Sequence, residues 1–470
     1  MSLLDAMDRF LAVHGHFYQP PRANPFTGQI PREQGAEPFA NWNERITSEC
    51  YRPNAELGNY AKIGFDLGPT LADWLAEGDP ATYRAFLEAD RQALDRTGAG
   101  NALAQVYNHV ILPLVPRHDK VTQIRWGVAD FRHRYGREPE GMWLSETAVD
   151  VETLEVLAEE GIGYTILAPW QSRDPGIDPG EAYRVRLSGG RSIQILFFDA
   201  IASTQVSFNR RMTESALEFI ELCLPMRDNW LRRRRGDPQL LLMAMDGEFY
   251  GHHQRGRERF LRDLLDLAPD HGYRPVTPAE YLRLLPPTRE AQIADRTAWS
   301  CRHGLARWEF GCACTAGSSD WKGILQTALA RLAEQVDAIY LREVRPHVTE
   351  PWELRHRYHR VFLGEVDAAG YVRERLTKRP ATDLVDRIVA LLEAQWFRQL
   401  MFTSCGFFFE DVSRIEPLNN LAYAARAISD VQSATGEDLT EEFRRSLKPI
   451  RSWRTKEAGD ALYDRVVARR

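Results

Sequence analysis

Residues 240–251 read LLLMAMDGEFYG. Six apolar residues are followed by two acids, Asp246 and Glu248. An uninterrupted apolar run of this length is typical of a strand that is buried on both faces, as strands are in a parallel α/β sheet. The two acids follow the strand directly and therefore lie at its C-terminal end, where barrels carry their catalytic groups. The segment thus predicts a parallel α/β fold and the place in it where chemistry occurs.

Six further apolar runs precede this strand and alternate with segments of helical periodicity, as in parallel α/β domains. The other predicted strands are Phe10–Phe17, Tyr60–Phe65, Leu103–Tyr107, Gly141–Leu144, Tyr164–Leu167 and Ile193–Phe198. The predicted helices include Val121–Tyr135, Val151–Glu160, Glu214–Leu222 and Glu258–Leu267. Seven strand–helix units predict an incomplete, TIM-like (β/α)7 barrel.

The character of the sequence changes after Pro286 and Pro287. Residues 290–318 form an irregular stretch rich in glycine and cysteine, and no strand-like alternation follows it. Helical periodicity recurs at Leu325–Leu341, Leu384–Met401, Leu418–Val431 and Glu441–Leu447. We therefore predict a catalytic barrel over residues 1–288 and an α-helical C-terminal domain over residues 289–470.

The bulk composition excludes several classes of protein. A chain of 470 residues that is 44% hydrophobic and 27% charged is neither disordered nor fibrous. A net charge of -6 argues against a nucleic-acid or anionic-membrane partner, and no apolar run reaches the ~18 residues of a membrane span. Six cysteines are too few for a secreted disulfide scaffold. Because the N-terminus also lacks a signal-peptide pattern, we predict a cytoplasmic location.

Polar and aromatic side chains gather at the ends of four predicted strands. They are His14, His16 and Gln19 at the first strand, Asn108 and His109 at the third, Trp143 and Glu146 at the fourth, and Asp246 and Glu248 at the seventh. The carboxyl ends of barrel strands share one face, so these side chains are predicted to form an active site.

These segments resemble the motifs of glycoside hydrolase family 57, the family of α-amylases and 4-α-glucanotransferases. The motif His-Gln-Pro resembles residues 16–20, HFYQP, with two residues inserted, and the second motif resembles residues 107–113, YNHVILP. Gly-x-Trp-x-x-Glu is matched by residues 141–146, GMWLSE, and Asp-x-Glu-x-x-Gly by residues 246–251, DGEFYG. The resemblance implies a retaining glycoside hydrolase or glycosyltransferring enzyme for α-glucans, with Glu146 as nucleophile and Asp246 as general acid/base.

The C-terminal region departs from the family pattern. Residues 403–411, TSCGFFFED, stand where the fifth motif, Ser-Asp-Trp-Phe, is expected. Cys405 then takes the place of a substrate-binding aspartate. The resemblance implies that Cys405 and Phe407 bind substrate and that the helical domain contributes to the active-site cleft.

The reaction itself explains why two carboxyl groups are needed. One ionised carboxylate attacks the anomeric carbon, and one protonated carboxyl group donates to the leaving oxygen, with a separation of roughly 5–5.5 Å. Glu146 and Asp246 come from different strands, as groups that flank a substrate must. Burial beside the Glu146 carboxylate would raise the pKa of Asp246 and keep it protonated.

The remaining candidates are assigned to substrate binding. The Trp143 indole could stack on a pyranose ring or belong to the core. His14, His16 and His109 could donate hydrogen bonds to sugar hydroxyls, and Gln19 belongs to the first motif. Glu248 could bind substrate or adjust the pKa of Asp246, and His252 could reach the site from the loop that follows the last strand.

Two other functions fit the same residues. Histidines two residues apart, with further acids and imidazoles on other strands, could bind zinc in a metal-dependent sugar deacetylase or a mannosidase-like hydrolase. A barrel that had lost turnover could serve as a glucan-binding regulator. The sequence leaves open the exact glycan, the choice between hydrolysis and transfer, and the oligomeric state.

No cofactor and no metal ligands are predicted at the active site. Cys301, His303, Cys312, Cys314 and Cys405 could form a structural zinc site. The one-residue spacing between Cys312 and Cys314 is shorter than the common Cys-x₂₋₄-Cys arrangement, which favours buried thiols that pack a loop.

Overall fold

The first strand of the sheet is β1, Arg9–Phe17, whose sequence RFLAVHGHF is buried from its second residue onward. The computed structural model describes residues 8–229, 232, 236–377 and 382–468. Strand β1 pairs in parallel with β2, Gly64–Leu67, on one side and with β8, Gln239–Asp246, on the other. In this register His16 lies opposite both Asp66 and Asp246. The polar candidates at the ends of these three strands are therefore direct neighbours.

The other strands extend the sheet on both sides of β1. They are β3, Ala102–Gln105, β4, Met142–Trp143, β5, Tyr164–Leu167, β6, Ala182–Arg186, β7, Ser192–Phe197, β9, Arg274–Pro275, and β10, Arg289–Glu290. The sheet order is β4–β3–β2–β1–β8, with β9 beside β1, and a second sheet has the order β10–β6–β7–β5. A parallel bridge between Gly141 and Tyr164 joins β4 to β5.

The prediction of seven parallel strands is confirmed by β1 to β5, β7 and β8. A hydrogen bond of 2.7 Å from the Asp199 N–H to the Leu242 carbonyl links the chain after β7 to β8, as in a nearly closed barrel. Strand β6 was not predicted. It runs antiparallel to β7 and exposes Arg184 and Arg186 on one face, so it lacks the continuous apolar run that marks a buried parallel strand.

Two compact units divide the chain. The first contains residues up to Gln19, Arg32–Gln105 and Phe131–Asp295, and the second contains Pro20–Pro31, Val106–Asp130 and Arg296–Arg470. The main division therefore follows Asp295, a few residues after the predicted boundary at 288. Two segments that the prediction assigned to the barrel, 20–31 and 106–130, belong to the second unit.

The helices of the first unit alternate with its strands. They are Trp42–Ile46, Arg52–Glu56, Pro69–Gly78, Pro80–Thr97, Val151–Glu159, Ala200–Phe208, Ala216–Glu218, Leu224–Arg227, Arg257–Leu267 and Pro278–Leu284, while Arg117–Tyr135 crosses from the second unit into the first. Their ends follow local chemistry. The Asp150 side chain accepts a hydrogen bond of 2.7 Å from the Thr153 N–H at the start of Val151–Glu159.

Two predicted elements of this unit differ from the structure. The predicted strand Tyr60–Phe65 begins only at Gly64, because Tyr60 lies in a 3₁₀ turn, Asn59–Lys62. Its ring still joins the core by stacking on Phe86 at 3.8 Å, which explains the apolar signal. The predicted helix Glu214–Leu222 is α-helical only over Ala216–Glu218 and continues as a π-helical turn.

The second unit is helical, as predicted. Its helices are Ala306–Glu309, Trp321–Val344, Pro351–His356, His359–Phe362, Ala368–Arg373, Thr382–Leu400, Cys405–Phe408, Ile415–Thr435, Thr440–Leu447 and Gly459–Val467. Within the described part of this unit, β-pairing is limited to the isolated bridges Val110–Thr403 and Arg451–Ala458. None of the helices in the described residues of the chain combines the length and the apolar character that a membrane crossing needs.

Asp119 is the centre of a buried ion-pair network in the second unit. Its carboxylate pairs with the guanidinium groups of Arg398 and Arg355, and the Gln399 amide donates to it at 2.8 Å. Burial alone would raise the pKa of Asp119, but Arg398 and Arg355 hold it below the usual range. The segment 106–130 is therefore tied by charge to helices more than two hundred residues later in the chain.

Replacing Asp119 by alanine is expected to lower the free energy of unfolding by about 3–5 kcal/mol, because Arg355 would lose its paired carboxylate and Arg398 would keep only Asp337. Calorimetric unfolding of the variant measures this loss. The exposed Glu441 provides a control, and Glu441→Ala should change stability by less than about 0.5 kcal/mol. Equal losses in the two variants would contradict a central role for the network.

Candidate active site

Two histidines at the end of β1 share one carboxylate. His14 and His16 are two residues apart and therefore face the same side of the strand. The Asp66 carboxylate on β2 lies between them, with Oδ1 at 2.9 Å from His14 Nε2 and Oδ2 at 2.7 Å from His16 Nδ1. An ionised carboxylate only accepts hydrogen bonds, so both imidazole nitrogens donate to it. All three side chains are buried.

The charges of this triad follow from its pKa shifts. Burial alone would lower the pKa of His16, but the charge of Asp66 and its hydrogen bond raise it to about 9. Burial lowers the pKa of His14. The two imidazoles outweigh burial at Asp66 and hold the pKa of that carboxyl below its usual range. At neutral pH the triad therefore contains an imidazolium at His16, a carboxylate at Asp66 and a neutral His14.

Trp143 packs beneath the two imidazoles. It is fully buried, and its ring stacks on His14 at 4.6 Å and on His16 at 5.4 Å, both nearly parallel. The indole therefore supports the imidazoles from below. Contact between Trp143 and a sugar ring stays a prediction.

Glu146 has an unusual backbone. It lies in the turn after β4 with φ 57° and ψ 21°, a left-handed conformation that costs a non-glycine residue roughly 1–2 kcal/mol. The following residue, Thr147, also has a positive φ of 49°. Strain of this kind persists only where the surroundings impose it, and it is concentrated at functional sites.

Gln171 holds this turn in place. The Thr147 hydroxyl donates to Gln171 Oε1 at 2.8 Å, and Gln171 Nε2 donates to the Thr147 carbonyl oxygen at 2.8 Å. Gln171 Oε1 also accepts the Ala168 N–H at 2.9 Å, so the clamp itself is fixed. The Glu146 side chain, which is partly buried, is thereby presented by a backbone with little freedom.

Asp246 ends strand β8 beside His16. Burial raises the pKa of Asp246 to about 7, the nearby His16 cation opposes the rise, and the charges of Glu248 and Glu146 add to it. A carboxyl with this pKa is protonated in about half of the molecules at neutral pH. The group can therefore donate a proton and accept one under the same conditions.

Glu248 lies in a buried hydrogen-bond cluster. The Tyr51 hydroxyl donates to Glu248 Oε1 at 2.5 Å, and Gln19 Nε2 donates to the Tyr51 oxygen at 3.0 Å and to Glu248 Oε1 at 3.5 Å. Burial raises the pKa of Glu248 in spite of these donors. Gln19 and Glu248, predicted from different motifs, thus meet in one cluster, and Glu248 acts on Asp246 through its charge.

His252 lies in the same unit and pairs with Glu49. Its Nδ1 is 2.5 Å from Glu49 Oε2, and the imidazole and Arg45 hold the pKa of Glu49 below its usual range although burial opposes them. The Trp42 ring meets the His252 imidazole edge-on at 6.0 Å. The assignment of His252 to substrate binding stays a prediction.

Three other predicted site residues lie in the second unit. His109 has a positive φ of 53°, its Nδ1 is 2.6 Å from the Ser404 hydroxyl, and its carbonyl accepts the Ser404 N–H at 3.0 Å. The segment of the second motif therefore contacts the segment predicted to replace the fifth motif. Phe407 is buried and Cys405 partly buried. Substrate binding by His109, Cys405 and Phe407 stays a prediction.

Sequence reasoning missed three residues of the first unit that shape the site: Asp66, Tyr51 and Gln171. A signal existed for Asp66, because it interrupts the otherwise apolar run of residues 63–67, IGFDL, and aspartate is almost never fully buried unless it is paired. Tyr51 and Gln171 lie in a π-helical turn and a 3₁₀ turn, where no periodic pattern singles them out.

Two family models match separate parts of this chain. Residues 68–294 match the model described as glycosyl hydrolase family 57, and residues 318–470 match a domain of unknown function, DUF3536. An alpha-amylase from Pyrococcus horikoshii is 26% identical over 192 residues, which are 39% of this chain and 29% of the relative. A 4-alpha-glucanotransferase from Thermococcus litoralis is 23% identical over 193 residues, which are 39% of this chain and 28% of the relative.

Solved structures resemble the chain over nearly its whole length. An exo-type maltose-forming amylase from Pyrococcus sp. ST04 has a TM-score of 0.77 at 14% identity, covering 98% of this chain and 88% of its own. A branching enzyme from Pyrococcus horikoshii has a TM-score of 0.61 at 15% identity, covering 98% of this chain and 94% of its own. The curated relatives, by contrast, are matched over less than a third of their length.

Proposed function

Because this chain belongs to glycosyl hydrolase family 57, we propose that it is a retaining enzyme that cleaves or transfers α-linked glucosyl units. Glu146 is the nucleophile and Asp246 the general acid/base of this proposal. The observation that carries it is the placement of the two acids: Glu146 follows β4 in a turn clamped by Gln171, and Asp246 ends β8 opposite His16, where burial raises its pKa to about 7. An aspartate with its ordinary pKa would be ionised at neutral pH and could not protonate a leaving oxygen.

In the first step, the Glu146 carboxylate attacks the anomeric carbon while the Asp246 carboxyl group gives its proton to the glycosidic oxygen. The glycosidic bond breaks, the shortened glucan leaves with a new hydroxyl group, and the glucosyl unit remains esterified to Glu146. The fixed turn around Glu146 supports this role because a nucleophile with little backbone freedom starts close to the reacting geometry.

The second step reverses the proton transfer. Esterification removes the charge of Glu146, and that charge is one of the causes that raise the pKa of Asp246. The pKa of Asp246 therefore falls once the intermediate has formed, and the carboxylate accepts a proton from the incoming water or sugar hydroxyl. That oxygen attacks the anomeric carbon and frees Glu146. Water gives hydrolysis, and a glucan hydroxyl gives transfer.

The proposal assigns the buried imidazoles to substrate orientation. His16 is cationic and adjoins Asp246 in the sheet. Its charge can therefore limit the rise in the pKa of Asp246, and its ring can also bind a sugar hydroxyl. His14, Gln19, Trp143, Glu248 and His252 of the first unit and His109, Cys405 and Phe407 of the second complete the proposed substrate-binding set. The helical second unit is proposed to contribute to the cleft through the last three residues.

A metal-dependent deacetylase or mannosidase is less well supported. In such an enzyme neutral imidazole nitrogens bind the metal. Here one nitrogen of each ring donates to Asp66, which leaves the other nitrogen for a metal. The pKa of His16, raised to about 9 by the charge of Asp66 against the effect of burial, means that His16 would have to lose a proton at neutral pH before it could bind a metal. Zinc that is lost when His14 is replaced by alanine would favour a metal-dependent enzyme. A non-catalytic glucan-binding protein would bind oligosaccharides without turnover.

Trapping the intermediate tests the proposal most directly. An Asp246→Asn variant, incubated with a maltooligosaccharide that carries a fluoride leaving group, should accumulate a glycosyl ester because the fluoride needs little protonation. Peptide mass spectrometry should locate the ester on Glu146, and a Glu146→Gln, Asp246→Asn double variant should show none. An ester on another residue, or product of inverted configuration, would overturn the assignment.

The alkaline limb of the pH–rate profile should follow Asp246. In the wild-type enzyme, kcat/KM is expected to fall as pH rises through about 7, because Asp246 loses the proton it must donate. Glu248→Gln removes a negative charge that raises this pKa, so the limb should move to lower pH by about one pH unit. Glu77→Gln, on the exposed face of Pro69–Gly78, serves as the control and should leave the limb in place. If the limb of Glu248→Gln stayed at the wild-type pH, the charge of Glu248 would not be a cause of the raised pKa of Asp246.

The proposed partner is an α-glucan or oligosaccharide, with neither nucleic acid nor membrane as a second partner. The proposed location is cytoplasmic, on the grounds of the cysteine content described above.

A further inference from the structure

Residues 300–314 of the second unit, SCRHGLARWEFGCAC, bring three cysteines and a histidine together. The chain turns back between the two halves of this segment, through the short helix Ala306–Glu309 and Gly311, whose φ is 96°. Cys301 and His303 thereby meet Cys312 and Cys314. One ligand atom from each of the four side chains lies within 4.8 Å of the other three.

The distances among these atoms fit a common centre. Cys301 Sγ is 3.7 Å from Cys312 Sγ and 3.9 Å from Cys314 Sγ, and Cys314 Sγ is 3.3 Å from His303 Nδ1. Four ligands arranged tetrahedrally around zinc, with Zn–S near 2.3 Å, have sulfur atoms about 3.8 Å apart and a sulfur–nitrogen edge of about 3.5 Å. Both sulfur–sulfur distances lie near that value, and both are far longer than a disulfide bond of about 2.0 Å.

We propose that Cys301, His303, Cys312 and Cys314 form a structural Cys₃His site for zinc. The three thiols each lose a proton to solvent, and the three thiolates and the neutral His303 Nδ1 occupy the four positions of a tetrahedral ion. All four positions are taken by protein, so no position remains for water or substrate. The short Cys312–Cys314 spacing had favoured packed thiols. The turn at Gly311 brings these two cysteines to Cys301 and His303, so the four ligands need not come from one local motif.

The charge around the cluster supports the proposal. A zinc ion with three thiolates carries a net charge of -1, which is costly near a buried surface unless a cation faces it. Lys322, at the start of helix Trp321–Val344, is fully buried, and its Nζ has no hydrogen-bond partner among the described atoms. The charges of all three cysteines act on Lys322, as does the cation of Arg307. An anionic metal site would supply a counter-charge to these two neighbouring buried cations.

The fold offers a reason for such a site. Between β10 and Trp321–Val344, in the described residues, the chain contains only one four-residue helix, so little regular hydrogen bonding holds the segment. Zinc bound by ligands from both ends of the segment would close this loop and fix Trp308 in the core. The role is structural, and it is independent of the reaction proposed for Glu146 and Asp246.

Metal analysis of the intact protein tests the site without any activity measurement. Protein purified under reducing conditions should contain about one zinc ion per chain. After removal of zinc at low pH and refolding with Co²⁺, it should show the sulfur-to-cobalt charge-transfer band and the intense visible bands of tetrahedral cobalt. Protein that contains no zinc and binds no cobalt would overturn the proposal, as would a Cys301–Cys312 disulfide found by mass spectrometry in that protein.

Ligand variants locate the metal. Cys312→Ser and Cys314→Ser, both at partly exposed positions, should lose the zinc, and Cys223→Ser, which removes a thiol from the first unit, should keep it. His303→Ser should lower zinc content, whereas His303→Cys should restore it and shift the cobalt spectrum toward four sulfur ligands. Full zinc content in Cys312→Ser and Cys314→Ser would place the ion elsewhere and overturn the assignment. The zinc and cobalt measurements on the wild-type protein test the site without any variant. A variant that fails to fold therefore does not decide the result.

Discussion

Replacing Glu146 by glutamine is expected to lower kcat on an α-glucan by about four orders of magnitude or more, the scale seen when a catalytic nucleophile is removed. The amide fills nearly the same volume, so the left-handed turn and its Gln171 clamp should persist. It carries no negative charge and cannot form the glycosyl ester. The loss should therefore fall on kcat, while oligosaccharide binding survives.

Two measurements accompany this variant. Circular dichroism and the thermal midpoint should match the wild type, which shows that the loss is chemical. Glu77→Gln makes the same substitution at an exposed position of the same unit and should retain full turnover. If Glu146→Gln kept more than about a tenth of the wild-type kcat, another group would have to be the nucleophile.

Replacing Asp246 by asparagine is expected to produce a loss that depends on the leaving group. On natural glucans, whose leaving oxygen must be protonated, kcat/KM should fall by about 10²–10⁴-fold. On an activated aryl α-glucoside the first step should change far less, because the phenol leaves without a proton. The second step then limits turnover, so a burst of phenol should precede a slow steady state.

Azide distinguishes an acid/base from a structural aspartate. The small anion needs no general base and can attack the intermediate from the side that the Asp246 carboxylate formerly occupied. It should accelerate the variant, but not the wild type, and give a glucosyl azide of retained configuration. Equal losses on natural and activated substrates, together with no response to azide, would show that Asp246 acts on the structure and not as the proton donor.

The strands of the barrel could be predicted because each parallel strand is buried on both faces and reads as an apolar run. Tyr164–Leu167 agrees with the prediction residue for residue. Strand β6 could not be found in this way, since one face carries exposed arginines. The proposed catalytic pair could be named because Glu146 and Asp246 closely follow such runs and stand in segments that resemble motifs of the family. Asp66 completes the site from inside a strand, and only its pairing with two imidazoles on the neighbouring strand explains a buried carboxylate there.

Contacts that join distant parts of the chain could not be predicted from the sequence pattern. The cysteine cluster needs the turn at Gly311, and spacing alone argued against it. Residues 106–130 join the helical unit through contacts such as the ion pairs of Asp119, which reads as an ordinary acid in the first turn of a helix. Its partners Arg355 and Arg398 carry no mark that distinguishes them from the many other arginines.

The Asp119 network also determines how early the second unit can fold during synthesis. Arg398 follows Asp119 by 279 residues, so a ribosome that adds about 5–20 residues per second delivers it roughly 15–55 s later. During that interval Asp119 has no counter-charge from Arg398, so the segment 106–130 lacks one of the ion pairs that hold it in the second unit. The helical unit therefore cannot finish folding until most of the chain has left the ribosome, and the nascent chain is most exposed to misfolding in that interval.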